Sequence, residues 1–425
     1  MSKLSYLDKL LDGVVVEWKP LEEVAKYIRG LTYSKSNEST DGQGYRVLRA
    51  NNVTLSSNCL NLNDVKVVRF DTKVKDSQKL YKNDILISAA SGSREHVGKV
   101  AYIKSDIDYY FGGFMGVVRC NEKLNPRYLF HVLTSDIFQK YLDEMLNSST
   151  INNLNSAVMG GFKIPIPCPN KSDKSLTIQS EIVRALDKFT ALTSELTAEL
   201  TMRKKQYNYY RDQLLSFEEG AAPFYPLGQK EVGEFIRGGS FQKKDFTKSG
   251  IGCIHYGQIF THYGTYANKT KTFVSESLAQ KCRKAKTGNL VIATTSENDD
   301  DVCKAVAWLG TEDIAVSSDA CIYRHNLNPK YVSYFFQTES FQSQKRQYIT
   351  GTKVRRVNAD NLAKILIPVP SQEEQTRIVD ILDKFDLLTS SISQGLPREI
   401  ELRQKQYEYY RDLLFSFPKP EAASN

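Results

Sequence analysis

Arg203–Phe217 reads RKKQYNYYRDQLLSF and Arg403–Phe417 reads RQKQYEYYRDLLFSF, with eleven of the fifteen positions identical. The echo continues upstream, where Ile182–Thr193 (IVRALDKFTALT) is answered by Ile378–Thr389 (IVDILDKFDLLT). A period near 200 residues is far longer than the roughly 20–50 residues of a solenoid repeat. The chain is one module-plus-helix unit written twice, and two similar surfaces imply a partner that offers two sites.

Around the echo, residues step by three and four without interruption: Leu186, Phe189, Thr193, Leu196, Leu200, Arg203, Tyr207, Tyr210, Leu214 and Phe217. That is a heptad seam. It predicts a helix of about 40 residues, a rod of roughly 60 Å. The second copy keeps the seam at Leu382, Phe385, Thr389 and Ile392, then at Arg403, Tyr407, Tyr410, Leu414 and Phe417. Between these stretches Gly395-Leu396-Pro397 predicts a kink, and four extra residues lie there relative to the first copy. Matching seams in one chain predict two helices packed as an antiparallel coiled coil with pseudo-two-fold symmetry. Each module sits at the N-terminal end of its helix, so parallel packing would crowd the two together.

The modules repeat more loosely. Val16–Gly30 (VEWKPLEEVAKYIRG) is echoed by Tyr225–Gly238 (YPLGQKEVGEFIRG), and each predicts a short helix ending in Ile-Arg-Gly, with Gly30 and Gly238 as C-caps. Strands are expected at Tyr45–Leu48, Val65–Phe70 and Asp84–Ser88, and at Gly252–His255 and Leu290–Thr294, separated by Gly, Asn and Ser clusters. Asn125-Pro126 and Asn328-Pro329 each open a helix, with Asn as N-cap and Pro at the first position. Each module closes on a proline-marked edge strand, Ile164–Pro167 (IPIP) or Ile367–Pro370 (IPVP). The expected fold is α+β, two mixed α/β modules joined by two long helices. Its segments are an N-terminal segment over 1–17, modules over 18–170 and 218–370, helices over 171–217 and 371–417, and a flexible tail over 418–425.

Composition narrows the function. With 41% hydrophobic and 25% charged residues this is an ordinary globular chain. No apolar run approaches the roughly 18 residues of a membrane span, and the charged opening MSKLSYLDKLLDG is not a secretory signal. Seven cysteines without a CxxC pair fit reduced thiols in a cytoplasmic protein. Five scattered histidines give no metal-ligand spacing. A net charge of +8 is compatible with an anionic partner.

No phosphate-binding GxxxxGK[ST] loop occurs. Asn125-Pro126-Arg127-Tyr128 and Asn328-Pro329-Lys330-Tyr331 resemble the Asn-Pro-Pro-Tyr motif of amino-group DNA methyltransferases, and Phe111-Gly112-Gly113-Phe114 resembles a cofactor loop. Only about ten residues separate that loop from the first motif, and Ala315–Ala320 (AVSSDA) replaces it in the second copy. The helix-cap reading is therefore preferred. Residues suited to DNA lie in loops of both modules. In the first they are Arg46, Arg49, Asn51, Asn52, Ser91, Gly92, Ser93, Arg94, Lys99, Asn152 and Asn153. In the second they are Lys243, Lys244, His255, Tyr256, Thr295, Ser296, Thr352, Lys353, Arg355 and Arg356. Arg and Lys suit guanine edges or phosphates, and Asn suits adenine edges. Tyr207, Tyr210, Tyr407 and Tyr410 are placed by the seam in the helix interface rather than against bases.

The RxKQYxYYRDxLxSF echo, the LDKF segments and the IPxP exits resemble the specificity subunit of type I restriction–modification systems. The tandem Thr193–Leu196/Thr197–Leu200 (TSEL/TAEL) is similar to short helix repeats in one branch of that family. The resemblance covers essentially the whole chain. It implies a non-catalytic subunit whose two modules each read half of a bipartite, asymmetric site in double-stranded DNA. The helices would set the half-site spacing and dock two adenine-methyltransferase (modification) subunits, and motor–nuclease (restriction) subunits would join them. S-adenosylmethionine, ATP and Mg²⁺ would then sit on those partners and none on this chain. Two alternatives stay open: a methyltransferase acting alone through Asn-Pro-x-Tyr, and a coiled-coil scaffold that never touches DNA.

Overall fold

The computed structural model describes residues 11, 13–54, 58–91, 93–147, 153–391 and 394–417. The chain divides into two compact units, one drawn from residues 1–194 and 401–425, the other from 195–400. Both are α+β.

The first unit contains β1 (Val16–Pro20), β2 (Ala25–Arg29), β3 (Tyr45–Leu48), β4 (Lys66–Val68), β5 (Ile85–Ser88), β6 (Val100–Tyr102), β7 (Tyr110–Phe111), β8 (Met115–Cys120) and β9 (Lys163–Pro167). They form a four-stranded sheet in the order β2-β8-β5-β6, a three-stranded sheet β4-β3-β7 and a ribbon β1-β9. The second unit contains β10 (Phe224–Pro226), β11 (Gly233–Arg237), β12 (Ile251–Ile254), β13 (Tyr266–Ala267), β14 (Thr272–Val274), β15 (Lys284–Ala285), β16 (Leu290–Ala293), β17 (Thr295–Ser296), β18 (Ala305–Trp308), β19 (Ile314–Val316), β20 (Ala320–His325), β21 (Arg355–Arg356) and β22 (Leu366–Pro368). The order β11-β20-β16-β18 repeats the first unit's large sheet and β14-β12-β19 its small one, with β13 and β15 added at edges. The parallel pairing inside the small sheet recurs too, Val47 opposite Tyr110 and Cys253 opposite Ala315.

The central strands explain why these sequences are apolar without alternation. Ile85 and Ile87 enter one core cluster while Leu86 enters another on the opposite face. Leu290 and Ile292 are separated from Val291 and Ala293 in the same way. A strand covered on both faces must be apolar at every position. The prolines of β9 and β22 lie in two-stranded ribbons, where the missing N–H costs no ladder bond.

Helices then close each module. In α1 (Pro126–Leu133) Asn125 Oδ1 accepts from the amides of Arg127 and Tyr128 at 2.9 and 3.3 Å. In α4 (Pro329–Phe335) Asn328 does the same for Lys330 and Tyr331 at 3.0 and 3.3 Å. The next helices are α2 (Asp136–Asn147) and α5 (Glu339–Arg346). The Tyr128 hydroxyl donates to Pro165 O at 2.8 Å and Tyr331 to Pro368 O at 2.9 Å. The Asn-Pro-x-Tyr segments are thus a helix cap plus a buried tie to the exit strand.

Three long helices carry the echo: α3 (Ser172–Leu214), α6 (Gln372–Ser390) and α7 (Gly395–Leu414). Ile178, Ile182 and Leu186 of α3 enter the first unit's core together with Tyr407, Leu414, Phe415 and Phe417. Tyr207 and Leu215 enter the second unit's core with Ile378, Val379 and Leu382. The tyrosine-rich segment of each copy therefore completes the unit that holds the other copy's module. The second helix is interrupted between Ser390 and Gly395, where Gly395 has φ +75° and a Cβ would lie 2.4 Å from Leu387 O.

One expectation is corrected. Tyr27-Ile28-Arg29 and Phe235-Ile236-Arg237 end strands β2 and β11 rather than helices; the only helix in the first segment is the single turn Leu21–Val24. Gly30 and Gly238 are not C-caps. A Cβ on Gly30 would lie 2.1 Å from Gly112 O, and one on Gly238 2.0 Å from Ser317 O. The glycine is demanded by a crossing backbone, a need that reads like a cap in one dimension.

Candidate nucleic-acid interface

Asn153 in the first unit, and Thr295, Ser296, Arg355 and Arg356 in the second, lie on one backbone frame found in both units. In the first unit the Ala89 and Ala90 amides donate to Phe114 O at 2.8 and 3.1 Å, and the Leu154 amide donates to Ala89 O at 2.7 Å. In the second the Thr294 amide donates to Asp319 O at 3.0 Å, and the Val357 amide to Thr294 O at 3.1 Å. Ala90 bridges Asn153 where Thr295 pairs with Arg356. Met115 N→Gly112 O (2.8 Å) and Ala320 N→Ser317 O (3.1 Å) close the same turn. Three segments thus converge twice: the end of the central strand, the turn after β7 or β19, and the chain returning from the helix pair.

Individual residues divide into bracing and presented groups. Asn52 is buried, and its amide donates at 2.8 Å to both Asn61 O and Asp64 O. Arg49 Nη2 and Asn51 Nδ2 both reach Asp64 Oδ2, at 2.8 and 2.9 Å, so one carboxylate fixes two candidate readers. Arg46 is exposed, its guanidinium 5.7 Å from the Tyr109 ring. Ser91 Oγ accepts from the Ser93 amide at 3.3 Å, and Arg94 is paired with Asp143. Lys99 Nζ donates to Val53 O at 3.4 Å, and burial draws its ammonium pKa below the usual range. Asn153 Oδ1 is buried without a hydrogen-bond partner among the described residues. Gly92 and Asn152 lie outside the described residues.

In the second unit Lys243 and Lys244 stand exposed on a single 3₁₀ turn. His255 is buried, its Nδ1 accepting from the Gly257 amide at 3.2 Å. Burial lowers its pKa, Lys243 adds to this, and Asp319 opposes it. Tyr256 donates its amide to Ser317 Oγ at 2.9 Å. Lys243, His255, Tyr256, Ser317, Ser318 and Asp319 line an open cleft of 340 Å³. Thr295 is buried and Ser296 half-buried, paired through their backbones with Arg356 and Arg355. Thr352, Lys353 and Arg356 are exposed, whereas Arg355 Nε is held by Asp299 Oδ1 at 2.8 Å. That aspartate is positioned by a buried cation: Lys345 Nζ donates to the Asp299, Asp300 and Val302 carbonyls at 2.8, 3.2 and 2.9 Å. Burial lowers the Lys345 pKa. Asp64, Asp299 and Lys345 escaped the sequence reading, since a carboxylate that aims an arginine leaves no spacing signal.

The helix seam is uneven. Leu186 and Leu382 are fully buried, while Leu196, Leu200 and Leu214 are half-buried. Leu414 is buried. Phe189 stacks on Tyr410 at 5.3 Å between ring centroids, and Phe385 on Tyr210 at 5.6 Å, yet both tyrosines stay more than two-fifths exposed. Tyr207 and Tyr407 turn instead into the modules. Tyr207 donates to Gln337 Oε1 at 3.1 Å. Tyr407 lies 2.9 Å from His131 Nδ1, whose Nε2 lies 2.9 Å from Asp187 Oδ1. A carboxylate only accepts, so Nε2 carries the proton and Nδ1 receives the phenol. Ile392 lies outside the described residues.

Residues 15–202 and 227–402 each match the model of the type I restriction modification DNA specificity domain. The chain belongs to that family. As a type I specificity chain it is a DNA sequence-recognising component of a restriction–modification system. It is 37% identical over 429 residues to the Escherichia coli "Type I restriction enzyme EcoR124I/EcoR124II specificity subunit", covering 100% of both chains. It is 30% identical to a putative type I specificity subunit of Haemophilus influenzae, covering 97% of this chain and 98% of that one. A solved chain described by the words "complex assembly and conformational transition of the type I R-M system" aligns over 94% of this chain and 97% of its own. Its TM-score is 0.56 at 15% identity, a likeness of fold. The two matches to the specificity-domain model span both repeated modules, so each unit's backbone frame lies inside a specificity domain. Among the described residues no group of three His, Cys, Asp or Glu could hold a metal ion, and no helix is long and apolar enough to cross a membrane.

Proposed function

We propose that each unit reads one half of a bipartite, asymmetric site in double-stranded DNA, and that the long helices fix the distance between the halves. The observation that carries this is one backbone frame built twice and furnished with different side chains: Asn153 against Arg356, Ala90 against Thr295. A frame kept while its side chains change is what two readers of different sequences require, because base edges are told apart by donor and acceptor pattern. Exposed Arg46, Lys243, Lys244, Lys353 and Arg356 would hold phosphates, and the turn residues would meet base edges. The helices would dock two adenine-methyltransferase subunits, one beside each module, with motor–nuclease subunits joining to restrict unmodified DNA. S-adenosylmethionine, ATP and Mg²⁺ would be bound by those partners.

Sequencing of methylated bases in cells that express this chain with its methyltransferase partner tests the reading. The expected result is a motif of two short, unlike blocks separated by unread base pairs, with one methyladenine in each. A single contiguous motif, or none, overturns it.

A further inference from the structure

The frame singles out one position that neither charge nor spacing marks. Phe114 and Asp319 are equivalent, because each offers its carbonyl to the end of the central strand at the tip of the same closed turn. Their side chains could hardly differ more. Phe114 is 73% exposed, an apolar ring beyond a main chain that is hydrogen-bonded in place. Among the described residues it makes no aromatic or cation–π contact. Asp319 is half-buried and lines the open cleft beside Lys243, His255 and Tyr256. Its carboxylate has no ion-pair or hydrogen-bond partner among the described residues. An exposed ring on a fixed turn gains nothing for the fold, and an unpaired carboxylate in a half-buried cleft loses solvation. Both are explained by contact with something absent from the free chain.

We propose that Phe114 and Asp319 fill one equivalent base-reading position in the two units. Phe114 offers an apolar face to a thymine 5-methyl group, and Asp319 accepts from a cytosine 4-amino group. These are the pairings that major-groove chemistry allows for an aromatic ring and a carboxylate. Lys243, exposed on its turn next to the cleft, offsets the repulsion between the Asp319 carboxylate and the phosphates. The inference rests on the proposed reading that both units engage DNA.

The test uses the full complex of this chain with its methyltransferase subunits. Competition binding against duplexes substituted one base pair at a time is measured for the parent, Phe114→Ala and Asp319→Asn. The expected result for Phe114→Ala is loss of about five- to a hundredfold discrimination at one T·A pair of one half-site, with the other half-site unchanged. For Asp319→Asn the expected loss is at one C·G pair of the other half-site. The unaltered half-site serves as the folding control in each case. A uniform fall in affinity, no change, a Phe114→Ala effect confined to a C·G pair, or an Asp319→Asn effect confined to a T·A pair overturns the assignment while the two-reader model survives. A parent complex with no bipartite preference overturns both together.

Discussion

At the scale of single residues, the deciding feature is where the backbone runs out of room. Gly30 and Gly238 follow matching strands, and each lies against the carbonyl that opens the turn after β7 or β19, Gly112 O or Ser317 O. A backbone oxygen cannot rotate away as a side chain can, so a methyl group there must displace the turn itself. Gly30→Ala and Gly238→Ala should each destabilise the chain by about 2–3 kcal/mol, the upper range of overpacking. Gly264 has open space around its Cβ direction and an ordinary φ, so Gly264→Ala should be nearly neutral. Urea unfolding midpoints of the three variants check this; equal midpoints would refute the crossing-backbone role of Gly30 and Gly238. The misreading has a physical cause: a glycine forced by crossing chains and one chosen for a left-handed cap look alike in sequence. Asn52, His255 and Thr295 show a related limit. All three are polar residues that the fold buries, and burial is set by contacts distant in sequence.

Elements fared better in the sequence where their causes are local. The Asn-Pro helix starts, the proline-marked exits and the heptad steps are each written within a few residues, and each appears in the fold. What the steps could not tell is which way a seam residue turns. Tyr407 and Tyr207 occupy equivalent positions but meet different partners, His131 and Gln337. His131 is fully buried, with a pKa lowered by burial against the opposing pull of Asp187. Without the phenol its Nδ1 keeps a lone pair in a dry site. Gln337 is half-buried, so water can reach the Oε1 that would lose the phenol. Tyr407→Phe should therefore cost about 1–3 kcal/mol, the penalty of an unsatisfied buried acceptor, whereas Tyr207→Phe should cost less than about 1.5 kcal/mol, a net hydrogen bond. Hydrogen exchange of peptides from α1 and α4 separates the two. Loss of protection equal in both variants would refute the unequal roles.

For the whole molecule, the echo of Arg203–Phe217 in Arg403–Phe417 turns out to be a closure device. Residues 401–425 belong to the first unit although they end the second copy, and Tyr407, Leu414, Phe415 and Phe417 lie in its core. Repetition announced that the copies are alike, but only the packing reveals that each completes the other's module, because core membership is set by contacts far apart in the chain. Truncation after Gln394 puts this to the test. It removes those four core side chains from the first unit, whereas the second, drawn from 195–400, loses only its last six residues. Deleting one large buried aromatic costs about 3–5 kcal/mol, so removing three aromatics and a leucine exceeds the 5–15 kcal/mol that holds a typical domain. In the truncated chain, β5 peptides should exchange their amides freely while β16 peptides stay protected. If β5 kept its protection, the first unit would be self-sufficient and the exchange of segments incidental. If both strands lost it together, the two units would fold as one cooperative body, and the separate readers would have to share a single stability.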